Sequence, residues 1–277
     1  MSFLGSIFSE DIAVNFGSEG FFGYGEKGNF SLFSIWHFLP IILLIGAIVL
    51  TYFFREKIRN FKHEKIIRLV LASLMLLCEM GYYWRLMYVG TADPEMHTLL
   101  TKLPLQICER TCIFGAIMLL TDIKSLFDID VFVCLTVGIL PLIFPTVIST
   151  TGPAYARYYQ FWGEHLLPIY AVFYMMFVKG FKYEIKKVYK SLVFLSILTI
   201  ICIPINYAIP EASYLYLQGD TIGKFLADVL PDNQFGRLGI FAAAVIGLYG
   251  VEFLIFFFVD RFIKKKNEKV IENNSAV

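Results

Sequence analysis

The chain has 277 residues, 57% of them apolar or aromatic and 17% charged, with a formal net charge of +1. A soluble domain carries about a quarter charged residues, and a nucleic-acid-binding domain carries a basic excess. The composition argues against both, and no nucleic-acid partner is expected.

The first 31 residues, rich in Phe and Gly, are read as an extracellular segment lying at the outer interface. The opening MSFLGSIFSEDIAVNF lacks a basic n-region and does not read as a cleaved signal peptide. Seven apolar stretches follow, at 32–54, 66–89, 103–120, 131–148, 158–178, 192–209 and 238–259. Each holds 18 or more residues, enough to cross a hydrocarbon core of about 30 Å at about 1.5 Å per residue. In lipid the backbone must bond to itself, so the expected class is all-α: one polytopic domain over 32–259 with seven transmembrane helices. Pro40, Pro141, Pro145, Pro168 and Pro204 fall within spans and are expected to kink them.

Lys and Arg set the expected orientation. Seventeen lie in the loops 55–68 and 179–190, at Lys124 and in the tail 260–277, against five on the alternate side. The positive-inside rule then places the N-terminus out and the C-terminus in, with 260–277 as a basic cytoplasmic tail. The expected location is the cell membrane, multi-pass. Cys78, Cys108, Cys112, Cys134 and Cys202 all fall inside apolar stretches, so neither a disulfide framework nor a C-x-x-C site is expected.

Polar side chains inside spans are the informative positions, because a charge at mid-helix costs about 2.5–3.5 kcal/mol to insert. His37, Arg85, Cys108, His165 and Asn206 fall about 5–11 Å below the expected outer boundary on five different spans. Glu109, Arg110 and Glu164 join that layer, whereas Glu79 and Glu252 lie deeper. The common depth reads as a polar cavity opening outward. On span three, Gln106, Glu109 and Arg110 share one face at i, i+3 and i+4, and Cys108 points away with Cys112 and Gly115. A nucleophilic Cys108 would need a base from another helix, and His165 is at matching depth with Gln160 and Glu164 for polar company. Trp84, Tyr158, Tyr159 and Trp162 suit headgroup depth.

Three stretches in this order resemble a known family: LPLQIC at 103–108, RYYQFWGEH at 157–165 and NYAIPEASYLYL at 206–217. YYWR at 82–85 and FSLFSIWH at 30–37 add weaker matches. The chain resembles the YwaF-type bacterial integral membrane proteins, similar to the eukaryotic transmembrane protein 164 group. The resemblance implies a cysteine–histidine phospholipid acyltransferase, with Cys108 and His165 at the family's cysteine and histidine. Relatives often carry LPLHLC where this chain has Gln106, so a second imidazole is missing.

The expected function is a lipid acyltransferase-like enzyme acting in the outer leaflet on membrane phospholipid, without a cofactor. Cys108 and His165 are its expected catalytic residues. His37, Arg85, Gln106, Glu109, Arg110, Tyr159, Gln160, Glu164 and Asn206 are expected to bind or support substrate. Two other readings stay open. One is a transporter, channel or sensor built on the same cavity without covalent chemistry. The other is a metal site made by His37, Cys108 and His165, for which no local ligand spacing speaks.

Overall fold

The computed structural model describes residues 21–22, 30–89, 103–145, 152–209, 212–217, 230–231 and 233–275. Among the described residues the regular elements are helices: α1 (Ile35–Arg59), α2 (Glu64–Val89), α3 (Ile107–Thr121), α4 (Lys124–Leu135), α5 (Leu140–Ile143), α6 (Ala156–Phe177), α7 (Val188–Ala208) and α8 (Gln234–Ser275). Short 3-10 turns cover Val137–Ile139, Ile185–Lys187 and Tyr214–Tyr216. Most of the expected segment 1–31 and of the 210–237 connection lies outside the described residues. So does the side chain of Arg85, and that of Trp84.

Among the described residues three stretches are long and apolar enough to cross a membrane: Ile35–Arg59, Ile185–Ala208 and Gln234–Val259. A fourth crossing arises if α4 and the turn–α5 segment, bent by 48°, act as one span. Among the described residues three helices, or four with the bent pair taken as one span, qualify by length and apolarity, against the seven expected. α3 has 15 residues, which is about 22 Å. α2 and α6 are longer but carry Glu79, Arg157 and Glu164.

Two expected spans start and end elsewhere. The third was expected from 103, yet helix begins at Ile107, with Gln106 extended (φ −71°, ψ 151°) as its N-cap. Pro104 explains the delay, since proline disfavours helical geometry in the residue before it. The fourth was expected at 131–148, but helix runs from Lys124, breaks at Thr136 (φ −118°, ψ −82°) and ends at Ile143. Pro141 has no N–H for the carbonyl of residue 137, so an unbroken helix through this point would lose a bond and gain a clash.

The layering follows from which faces can tolerate lipid. Only 17%, 17% and 11% of the three apolar windows are buried. Phe53, Ile200, Ile246 and Phe258 stand out from the bundle, each more than 60% exposed. Patches of that size do not face water in a monomer. α1, α7 and α8 are thus the lipid-facing rim, while α2, α3, α4 and α6 form the centre, with α6 packed on α1, α2, α3 and α4. On these less apolar helices Arg68, Asp128 and Glu164 have ion-pair partners within the bundle.

Small residues bring the central helices close. A Cβ on Gly163 of α6 would run into Cys78 Sγ of α2, and one on Gly115 of α3 would meet Met75 Cε at 2.5 Å. In lipid such close approach replaces the hydrophobic effect as the force between helices. The expected small-residue side of α3 therefore faces α2, where the Cys112 thiol also donates to the Met75 carbonyl at 3.2 Å.

The end of the bundle that carries the basic loops is tied by ion pairs. Arg68, 4% exposed, binds Glu64 (2.9 Å), Asp122 (3.0 Å) and the Leu119 carbonyl (2.5 Å), so it caps the C-terminus of α3. The Tyr174 hydroxyl donates to Glu64 and Lys179 pairs with Asp122. Arg59 donates to the Phe177 and Val178 carbonyls at the end of α6, where a cation meets the negative end of the helix dipole. Exposed Lys124 and Glu184 pair at 2.8 Å, and this contact draws the Glu184 carboxyl below its ordinary range.

Candidate functional site

Cys108 occupies the second position of α3, one residue past Ile107. The turn that holds it is built locally. The Gln106 N–H donates to Glu109 Oε2 at 2.9 Å, so Glu109 reaches back to close the start of its own helix. The Gln106 side chain points elsewhere, accepting from the Leu215 N–H at 3.0 Å. The Leu103 N–H donates to the Tyr214 hydroxyl at 2.6 Å.

Asn206 completes this assembly from α7. Its Nδ2 donates to the Tyr214 carbonyl at 2.9 Å and its Oδ1 accepts from the Tyr214 N–H at 2.7 Å. Both residues are fully buried. Within the turn, Ser213, Leu215 and Tyr216 adopt left-handed geometry (φ 43°, 57° and 56°). Non-glycine residues rarely do so, and such strain persists where surrounding contacts over-determine it. Asn206 and the turn at 212–217 therefore form a strained clamp whose free edge holds the N-terminus of α3.

His165 comes from the middle of α6. Its Nδ1 lies 2.7 Å from the Phe161 carbonyl, one turn back, and its ring packs against that of Phe161, centroids 4.3 Å apart and tilted by 37°. A carbonyl only accepts, so Nδ1 carries the hydrogen in the neutral ring and Nε2 keeps its lone pair. Beside it, Glu164 Oε2 accepts from Gln160 Nε2 at 2.6 Å and faces Arg157 at 3.8 Å. Pro168 sits in the next turn and cannot donate to the Glu164 carbonyl.

These elements meet at a narrow cleft lined by Cys108, Thr111, Cys134, Gly138, Glu164, His165, Pro168 and Ile169. Its free volume is about 10 Å³, room for about one water molecule. α3 supplies one wall, α6 the second, and the break after α4 the third. The break matters because Cys134 and Gly138 reach the cleft from either side of it. The Thr111 hydroxyl donates to the Cys108 carbonyl at 2.9 Å.

The sequence-predicted residues separate into groups. Cys108, His165 and Glu164 line the cleft. Gln160 touches it through Glu164. Gln106, Glu109 and Asn206 build the clamp, so the polar face expected to begin at Gln106 is a helix cap joined to the 212–217 turn. Arg110 lies within the electrostatic field of Glu79 and Glu109. Tyr159 points outward at 54% exposure.

His37 sits apart from the cleft. Its Nδ1 accepts from the Phe33 N–H at 3.1 Å, so its Nε2 donates to the Leu142 carbonyl at 2.7 Å, pinning α1 to α5. Both nitrogens are occupied, which removes His37 from the alternative reading of a three-ligand metal site. Among the described residues no three His, Cys, Asp or Glu side chains converge as ligands.

Sequence reasoning missed Arg157, Glu79, Thr111, Cys134 and Gly138. Arg157 is seven residues before Glu164, the same face of a helix, and that spacing was a usable signal. Glu79 was placed below the polar layer, yet it interacts electrostatically with Glu164, Arg110 and Arg157. Cys134 and Gly138 carried no signal, because only the bend turns them into the cleft.

The family model described as the TMEM164 family matches residues 32–259. No curated protein and no solved structure matches the chain.

Proposed function

Because this chain belongs to the TMEM164 family of membrane proteins, we propose that it is a thiol-dependent acyltransferase acting on membrane phospholipid. The observation that carries the reading is one cleft holding Cys108 and His165, with the imidazole tautomer set by Phe161. In the first step His165 Nε2 takes the thiol proton and Cys108 Sγ attacks the acyl carbonyl. The carbon–oxygen bond to the glycerol breaks and the leaving alkoxide takes the proton back from His165. An acyl-thioester on Cys108 and a lysophospholipid result. A second hydroxyl, deprotonated by His165, then attacks the thioester and restores the thiol.

The position of Cys108 supports this chemistry. The first amide groups of a helix have no partner within it, and the positive end of the dipole lies there. The first turn of α3 therefore offers donors for a developing oxyanion. Asn206, expected to bind or support substrate, has its amide occupied by Tyr214. Arg110 is the cation proposed to meet a phosphate. The cleft admits a carbonyl group but not an acyl chain, so the chain stays in the surrounding lipid.

The proposed topology has seven crossings, with N-terminus outside and C-terminus inside, in the cell membrane. Its support is the order of the helices α1–α8, which make seven segments when α4 and α5 are taken as one bent span, and the basic loops tied at one end as described. α2, α3 and α6 cross inside the protein, shielded by the apolar rim, and need less apolarity of their own.

The test is acyl transfer in lipid. Purified protein is offered a phospholipid with a labelled acyl chain, and thioester-linked label on Cys108 is read by hydroxylamine sensitivity and peptide mass. Wild type is expected to label, Cys108→Ala not at all, and His165→Ala at least about 100-fold more slowly. Absence of label together with full cellular function of Cys108→Ala would refute the proposal.

A further inference from the structure

A second polar group lies away from the cleft, on a helix where none is expected. α8 is the least buried of the apolar helices, yet Glu252 on it is only 4% exposed. Both of its carboxylate oxygens are buried without a hydrogen-bond partner among the described residues. No described cation acts on it either, for Lys190 is held by Asp128 at 2.6 Å, Lys124 by Glu184 and Lys179 by Asp122. An unpaired, unsolvated carboxylate costs several kcal/mol or more in such surroundings.

What surrounds Glu252 is aromatic and oxygen-bearing. Tyr249, Glu252 and Phe256 share one face of α8 at i, i+3 and i+7. The Tyr183 ring stacks on Phe256 at 3.9 Å with an interplanar angle of 6°. Phe132 of α4 touches both Tyr183 (5.1 Å) and Tyr249 (5.7 Å). Phe132 and Phe256 thus pack against the two tyrosines, Tyr183 and Tyr249. The Tyr183 hydroxyl is buried and likewise lacks a partner, and Glu252 acts electrostatically on both tyrosines. Tyr249 is next to Ser191 of α7, whose hydroxyl donates to the Val188 carbonyl.

We infer that Glu252, Tyr183 and Tyr249 form a binding site for a small monovalent cation that fastens α8 to the bundle. A cation satisfies the carboxylate and the phenol oxygens together, and the ring faces around it add cation–π attraction. The side chains of α8 buried within the described residues are Arg237, Tyr249 and Glu252. Docking of the lower half of this helix therefore runs through the proposed site. The inference is independent of the acyltransferase reading, because no residue is shared with the cleft.

The experiment is thermal unfolding of the purified full-length protein in detergent, titrated with sodium, potassium or choline chloride at constant ionic strength. Sodium or potassium is expected to raise Tm saturably by about 5 °C at 100 times its Kd. Glu252→Gln abolishes the rise and Tyr183→Phe shifts its midpoint at least about tenfold to higher salt. Glu79→Gln serves as the control acid and leaves the rise intact. Equal responses to all three salts, or an undiminished rise in Glu252→Gln, would overturn the site. So would a Tm that follows pH through Glu252 but ignores the cation, since a proton would then be the occupant. Should Glu252→Gln fail to fold, the midpoint in Tyr183→Phe decides alone.

Discussion

Replacing Asn206 with alanine is expected to loosen the start of α3 from a distance and to make Cys108 more reactive toward external reagents. The side chain makes two buried hydrogen bonds, 2.9 and 2.7 Å long, to the carbonyl and N–H of Tyr214. Alanine leaves both main-chain groups stranded in an apolar surround, at about 1–3 kcal/mol each. The total is about 2–6 kcal/mol, reduced where the turn can relax. Relaxation is favoured, because Ser213, Leu215 and Tyr216 would leave their left-handed geometry once Tyr214 is released. The Leu215–Gln106 and Tyr214–Leu103 bonds would then go as well. The assay is the Tm of the purified protein together with the alkylation rate of each cysteine, resolved by peptide mass. A drop of several degrees with Cys108 alkylating faster, and Cys112 unchanged, is expected. An unchanged Tm with an unchanged Cys108 rate would refute the clamp. Tyr214→Phe removes the hydroxyl contact alone and should fall between wild type and Asn206→Ala.

Arg68→Gln removes a cation from a buried site shared by Glu64, Asp122 and the Leu119 carbonyl, and should destabilise by about 3–5 kcal/mol in thermal unfolding. Gly163→Ala drives a methyl group into Cys78 Sγ and should cost about 1–3 kcal/mol; Cys78→Ala in the same chain should recover most of it, measured as a double-mutant cycle. The Glu184 carboxyl is lowered by Lys124, so its contribution is present above the unfolded-state pKa and is lost as pH falls through the lower, folded value. Wild type minus Glu184→Gln in Tm should accordingly shrink on acidification and stay flat above neutral pH.

The clamp shows why some of the site could be read in advance and some could not. Cys108 and His165 were paired by depth, because rise per residue converts sequence position into depth along any helix. The cleft also needs Cys134 and Gly138, and their arrival depends on a break at Thr136 that no local pattern signals. Gln106 was assigned to a helical face because an apolar stretch does not display where its first turn begins. The start was set by Pro104, by Glu109 reaching back and by Leu215, a partner 109 residues away.

The apolar blocks by themselves determined that the chain is helical and belongs in a membrane, since lipid forbids unpaired backbone and apolar length measures a crossing. The uneven distribution of Lys and Arg likewise carried the proposed orientation, because charge near a membrane acts without regard to tertiary contacts. Which helices face lipid was decided only by the fold. The most apolar ones went to the rim, and the helices bearing Glu79, Arg110, Arg157 and Glu164 went to the centre. A buried charge is tolerable only beside its partners, and partners are assigned by three-dimensional packing, which hydropathy along the chain does not encode. The tautomer of His165, the occupied nitrogens of His37 and the uncompensated carboxylate of Glu252 are all facts of that kind.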